Sequence, residues 1–185
     1  MSRMKLIRRW SLLKAVTEEN IAEQSAQVAQ ISHALAVIAN TVYGRSLNAD
    51  RITTLALYHE SSEVITGDLP TPIKYYNPDI RAAYKNIEGV ANDKLLSMLP
   101  EALKSEYMPL IKQDADSYEH TLVKAADKLS AYIKCLEELK SGNREFAKAE
   151  LALKNEVTSY THLPEVRYFC DNFLDSFSKT LDELD

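Results

Sequence analysis

The sequence predicts an all-α protein, a single domain over residues 1–185 with roughly eight helices packed as a bundle. Three observations carry that reading. Only four glycines occur in 185 residues, which leaves few tight turns. No stretch alternates apolar and polar residues for long enough to make a strand. Apolar residues instead recur at helical spacing, behind residues that cap helices, along most of the chain.

Asn20 followed by Glu23 has the form of a capping box. Behind it Ile21, Val28, Ile31, Leu35 and Ile38 repeat at helical spacing, and Gly44 lies just past the end. Asn48 can cap the next helix, which holds Ile52, Leu55, Ala56 and His59. Gly67 to Pro72 reads as a loop from its breakers. Asn77-Pro78 resembles an N-cap with proline at the first helical position, opening a helix through Ile80, Tyr84, Ile87, Val90 and Leu95 to about Met98. Pro100 opens a shorter helix to about Lys112. Ser117 can cap a long one, from about Tyr118 to Lys140, with Leu122, Ala126, Leu129, Ile133 and Leu136 on one face. Ser141-Gly142-Asn143 breaks it, and another helix follows to about Val157. Thr161 to Pro164 starts the last, where Val166, Phe169, Phe173 and Phe177 form an apolar stripe.

Composition bounds the function. The low glycine content argues against Rossmann and P-loop folds, which need glycines where the backbone approaches phosphate. A net charge of −5 disfavours broad nucleic-acid binding. Cys135 and Cys170 have neither metal-site spacing nor a disulfide framework, which fits a reduced, cytoplasmic setting. The basic N-terminus MSRMKLIRRWSLLKAV lacks the continuous apolar run of a signal peptide. No segment approaches the roughly 20 apolar residues of a membrane span.

The stretch LYHESSEVITGDLPTP, residues 57–72, runs from an apolar helix straight into breakers. Residues three and four apart share a helix face, so His59 and Glu63 are expected to be neighbours, with Glu60 over the adjacent edge. A solvated patch is one reading, since glutamates are common on helices. The other is a metal or acid–base site. Leu55, Ala56, Leu57 and Tyr58 lead into the cluster, Asp68 and two prolines close over its end, and buried charges need partners. Asp127 interrupts LVKAADKLSAYIKCLEEL on or beside its apolar face. Alone it reads as a solvated or paired aspartate, and it gains meaning only by meeting the His59 cluster in space.

In RRW, residues 8–10, Arg9 can fork onto a phosphate and Trp10 can offer a flat wall to a sugar or base. The plainer reading is an N-terminal helix anchored by one tryptophan, with its arginines in solvent. His33 is nine residues from Gln24, half a turn out of phase at 3.6 residues per turn, and reads as a helix-packing histidine. His120 and His162 sit near helix starts and read as surface or cap residues.

Three segments together resemble a known family: RRWSLLKAVTEENIAEQSAQVAQISHALA, LALYHESSEVITGDLPTPIKYYN and LVKAADKLSAYIKCLEEL. They are similar to the HD-domain phosphohydrolases and, within them, to the bacterial 5′-deoxynucleotidases, over nearly the whole chain. The GDLPTP loop is specific to this branch. The resemblance implies an all-α bundle of the HD-domain type, often a homodimer. It implies hydrolysis of 2′-deoxyribonucleoside 5′-monophosphates to deoxynucleoside and phosphate with one divalent metal, Co²⁺, Mn²⁺ or Mg²⁺. By position, the family's His-Asp metal pair falls on His59 and Glu60, its distant Asp on Asp127 and its first His on Gln24. Its acidic catalytic residue falls on Glu63 and a second acid on Asp68. The sugar and phosphate contacts fall on Arg9 and Trp10, with Thr71 nearby. The resemblance also implies that Trp10 stands against C2′ and leaves no room for a 2′-hydroxyl.

Two of these positions depart from the family pattern. Gln24 offers an amide oxygen where the family has an imidazole nitrogen, a weaker donor for the later transition metals. Glu60 keeps a carboxylate but adds a methylene, which moves its oxygen. Such a site leans toward oxygen and toward Mg²⁺ or Mn²⁺. Two readings of function therefore stand. One is a metal-dependent phosphohydrolase of deoxynucleoside monophosphates. The other is a protein that keeps the fold and pocket and binds nucleotide or a partner without turnover, for which Gln24 and Glu60 are the observations.

Overall fold

The structure, a computed structural model, describes residues 1–74 and 76–183. Its α-helical segments are α1 (Ile21–Tyr43), α2 (Ala49–Tyr58), α3 (Glu63–Thr66), α4 (Thr71–Lys74), α5 (Pro78–Ser97), α6 (Glu101–Ile111), α7 (Tyr118–Lys140), α8 (Ala147–Ser159) and α9 (Pro164–Phe173). There is no strand among the described residues. A single antiparallel bridge joins Arg8 to Asn20.

The long helices begin and end where their sequence directs. The Asn20 side chain accepts from Ala22 and Glu23 backbone N–H groups, and Glu23 reaches back to the Asn20 N–H, completing the capping box of α1. Gly44 ends α1 at φ 67°, a left-handed conformation that glycine adopts without penalty. Asn48, Asn77 and Ser117 cap α2, α5 and α7 through their side chains.

α1 packs against α2, α7 and α9, and α7 against α8. Val28 and Leu35 of α1 meet Leu122, Leu129 and Ile133 of α7 in one cluster, all five fully buried. Each such side chain contributes on the order of 2 kcal/mol by leaving water. The same cluster takes in Ile52, Leu110, Val157 and Val166 from four other helices. Both cysteines are free, Cys135 buried and Cys170 half-buried against this cluster.

Three sequence expectations differ from the structure. Residues 7–20 are not helical; a short 3-10 turn at Ser2–Leu6 precedes an extended strap. On α5, Tyr84 is buried but Ile87 and Val90 are exposed, because the helix packs mainly on α3, α4 and α6 rather than on the central pair. α9 stops at Phe173, and Phe177 lies in a following 3-10 turn, from which it still stacks on Phe169 at 6.4 Å.

Candidate active site

α2 ends one residue before His59. Residues 59–62 continue as tight turns, with Ser61 N–H donating to Tyr58 C=O at 3.0 Å and Glu63 N–H to Glu60 C=O at 3.1 Å. α3 then opens at Glu63. His59, Glu60 and Glu63 therefore share a turn, not the continuous helix face expected from spacing. The imidazole itself takes part in the break. Its Nδ1 lies 2.7 Å from the Ala56 carbonyl, one of the last carbonyls of α2. A carbonyl can only accept, so Nδ1 carries the hydrogen, and in the neutral ring Nε2 is left with its lone pair.

That nitrogen lies 3.6 Å from Glu60 Oε1 and 3.7 Å from Asp127 Oδ1. One ligand atom from each of the three residues falls within 4.8 Å of the other two. α7 supplies Asp127 and the first turn of α1 supplies Gln24, whose Nε2 donates to Asp127 Oδ1 at 2.8 Å. Gln24 Oε1 and His59 Nε2 are both buried without a partner. Such orphaned groups are rare in a folded interior and call for a partner such as an ion. One nitrogen and the oxygens of Glu60, Asp127 and Gln24 form a donor set that fits a divalent cation.

The acids around this centre are held in different states. Burial pushes the Asp127 carboxyl up, but neighbouring His59 and the fields of Lys128 and Lys124 outweigh it and hold its pKa well below the usual range. Glu60 is likewise lowered on balance, burial being overcome by His59, Lys124 and Lys74. Glu63 goes the other way. It is 4 % exposed, and burial together with the charges of Glu60 and Asp68 pushes its pKa up to about 10. Its Oε2 has no partner. Asp68 is raised chiefly by burial, against the pull of Arg9.

Glu60, Glu63, Asp68 and Asp127 all line one cavity of about 750 Å³, within the size range of small-molecule sites. Arg9 and Trp10 line it too, as does Thr71 at the start of α4, so every predicted contact residue has come to one place. Gln24 and His59 stand behind it, against Asp127. Burial works against the Arg9 charge, but Glu19, Asp127, Asp68 and Glu60 outweigh it and keep the guanidinium charged.

Further residues line the cavity as well. Lys74, held to Glu88 at 2.9 Å, together with Lys124 and Lys128, brings positive charge to the cavity. Lys124 was within reach of sequence reasoning, since it precedes Asp127 by one helical turn. Ala149, Ala152 and Leu153 of α8 give an apolar stretch of lining, which only the packing of α8 on α7 reveals. The remaining histidines lie elsewhere. His33, expected to pack between helices, is instead exposed. His162 is exposed, while half-buried His120 contacts Gln113 at 3.2 Å.

Comparison with known proteins agrees with this geometry. The family described as 5′-deoxynucleotidase YfbR-like matches residues 1–177. The chain is 51% identical over 185 residues to a 5′-deoxynucleotidase of Vibrio cholerae, covering 100% of this chain and 95% of that one. It is 51% identical to one of Yersinia pseudotuberculosis, covering 100% and 93%. Among solved structures, an HD-domain phosphohydrolase from Listeria innocua superposes with a TM-score of 0.83 at 22% identity, over 95% of this chain and 85% of that one. The cyanophage S-2L HD phosphohydrolase, solved with dA and one catalytic Zn²⁺, superposes at 0.70 with 19% identity, over 95% and 94%. With its helices in the HD-domain arrangement and its full length matched by these enzymes, the chain belongs to the YfbR-like 5′-deoxynucleotidase family.

Proposed function

We propose that the cavity between the N-terminal strap, α7 and α8 is the active site of a metal-dependent hydrolase releasing phosphate from 2′-deoxyribonucleoside 5′-monophosphates. The observation that carries this is the His59–Glu60–Asp127 group beside a nucleotide-sized cavity lined by Arg9 and Trp10. The full-length likeness to 5′-deoxynucleotidases supports it.

His59 Nε2, Glu60, Asp127 and Gln24 Oε1 are the groups that would hold the cation. A divalent cation there would polarise the phosphoryl group and make an attacking water available at neutral pH. With three oxygen donors to one nitrogen, the set leans toward Mn²⁺ or Mg²⁺ and away from Co²⁺; the S-2L enzyme, by contrast, was solved with Zn²⁺.

The remaining steps belong to side chains. Arg9 and Lys124 offset the negative charge of the phosphoryl oxygens, while charge grows on the 5′-oxygen as its bond to phosphorus breaks. Glu63, holding its proton at neutral pH, donates it to the departing 5′-oxygen. The deoxynucleoside leaves as the alcohol, and Glu63 regains a proton from the water whose oxygen has joined phosphorus. Asp68 fixes substrate position beside Arg9, and Thr71 closes the rim.

Trp10 is the sugar wall. Its indole N–H is already spent on Glu19 at 2.9 Å, so a 2′-hydroxyl pressed against the ring would lose water and gain no partner. A 2′-deoxyribose has no such group to strand. Phosphate release from dAMP, with AMP as control, tests this reading; equal release from both removes the role of Trp10.

The exposed apolar residues Ile87 and Val90 of α5 support a homodimer, which light scattering would test. No helix of the described residues is long and apolar enough to cross a membrane. Two free cysteines fit a reducing, cytoplasmic setting.

A further inference from the structure

We propose that Glu19, which does not line the substrate cavity, sets its selectivity for deoxyribose by holding Arg9 and Trp10 together from behind. This inference rests on the reading of Arg9 and Trp10 given above.

One carboxylate oxygen does both jobs. Glu19 Oε2 accepts from Arg9 Nη1 at 2.8 Å and from Trp10 Nε1 at 2.9 Å. The Arg9 and Glu19 side chains are 16% and 12% exposed, so the charged pair is shielded from water. Arg9 and Trp10 face the cavity, whereas Glu19 faces a separate, shallow hollow with Thr17, Glu23 and Lys134.

The backbone shows why such a clamp is needed. Trp10 has φ 59°, and it is the only non-glycine residue with positive φ among the described residues. For a bulky side chain this is a strained conformation that persists only when its surroundings enforce it. Two contacts enforce it: the indole bond to Glu19 and the packing of the ring on fully buried Phe146, with centroids 5.2 Å apart. The strap is also fastened through the backbone, at Glu19 itself and at Ile21. Arg9 N–H donates to the Glu19 carbonyl at 3.0 Å, and Ile21 N–H to the Ile7 carbonyl at 3.0 Å. Glu19 immediately precedes Asn20, the cap of α1, and Gln24 lies in the first turn of that helix. The sugar wall and one face of the metal centre are thus referenced to the same few residues.

The charge matters as well as the shape. A neutral amide at position 19 can still accept both bonds through its single oxygen but gives Arg9 no counter-charge. The guanidinium would then be drawn toward Asp68, Glu60 and Asp127, the acids that already act on it.

The test is steady-state hydrolysis of dAMP and AMP by the metal-loaded protein and by Glu19→Ala, Glu19→Gln and Trp10→Ala, each checked for unchanged helical content and metal affinity. For Glu19→Ala the dAMP-over-AMP ratio of kcat/KM should fall roughly tenfold, through a higher KM for dAMP with kcat within about threefold. Glu19→Gln, closest in shape, should fall between it and the wild type. A merely structural role would lower kcat for both substrates, or loosen the metal, without changing the ratio. If Trp10→Ala collapses the ratio while both Glu19 variants keep it, the inference is overturned. If Trp10→Ala itself leaves the ratio unchanged, the reading of Trp10 as the sugar wall fails, and this inference with it.

Discussion

Gln24 and Asp127 join the first turn of α1 to the middle of α7 through a 2.8 Å hydrogen bond, and the Gln24 carbonyl oxygen beside it is buried with no partner. A histidine at this position would present a ring nitrogen to a cation. Gln24 presents an oxygen, and its amide N–H₂ also holds Asp127, the proposed metal ligand.

Replacing Gln24 by His should therefore change which ion binds best. Co²⁺ and Zn²⁺ should gain affinity relative to Mn²⁺ by roughly tenfold or more, because imidazole favours the later metals. Equilibrium dialysis with metal analysis measures this directly. Adding Glu60→Asp restores the family pattern at both positions. A large gain in turnover for the double variant would mark the present site as silenced. A loss or no gain, which the geometry favours, would mark it as tuned to its own ligands.

Asp127→Asn keeps the shape of the side chain but removes the charge of a proposed metal ligand. For the wild type, a metal at about 100 times its Kd should raise Tm by roughly 5–10 °C. The variant should show little of this rise, and differential scanning calorimetry with and without metal checks it.

Glu63→Gln should lower kcat for dAMP by roughly 10²–10⁴ and change KM little, since the proton it is proposed to donate is needed only as the bond breaks. Its pKa is raised, so the active, protonated form persists through neutral pH and is lost only as pH climbs toward that pKa. The wild-type pH–kcat profile should fall on the alkaline side, and the variant should lose that limb.

Glu138 makes a stability prediction away from the cavity. It is 2% exposed and accepts from Val16 and Thr17 N–H, Lys134 Nζ and Asn143 Nδ2. Burial raises its pKa, but these donors, Lys134 first, outweigh that and bring it down from 4.5 to about 2. A lowered folded-state pKa means the stabilisation is complete above about pH 4.5 and is lost as pH falls toward about 2. Glu138→Ala strands the buried Lys134 ammonium and frees the strap, and should cost about 3 kcal/mol in urea unfolding at pH 7. The difference between wild type and variant should shrink as the pH is lowered through that window.

Much of this was legible in the sequence because it was local. The caps at Asn20, Asn48, Asn77 and Ser117 and the stop at Gly44 act within a few residues, and so the bounds of α1 and α7 follow from them. The candidate residues were legible through resemblance, and packing brings all of them to one cavity or directly behind it. The break at 59–62 was not legible, because His59 ends α2 by turning its own ring onto Ala56. Exposure on α5 was not legible either: its apolar spacing says which face is apolar but not whether a neighbour covers it. Glu19 and the α8 lining gain meaning only from contacts between distant segments. Glu19 looks like any acid before a helix until Arg9 and Trp10 fold back upon it.

The proposed site is metal-dependent and selective for deoxyribose. Its most direct test is phosphate release from dAMP and AMP by the purified protein, stripped of metal with EDTA and then given Mn²⁺, Mg²⁺ or Co²⁺. The expected result is no release when stripped, restoration by Mn²⁺ or Mg²⁺, and release from dAMP far exceeding that from AMP. A well-folded, nucleotide-binding protein that releases no phosphate with any of these metals would contradict the account and leave a pocket that binds without turnover.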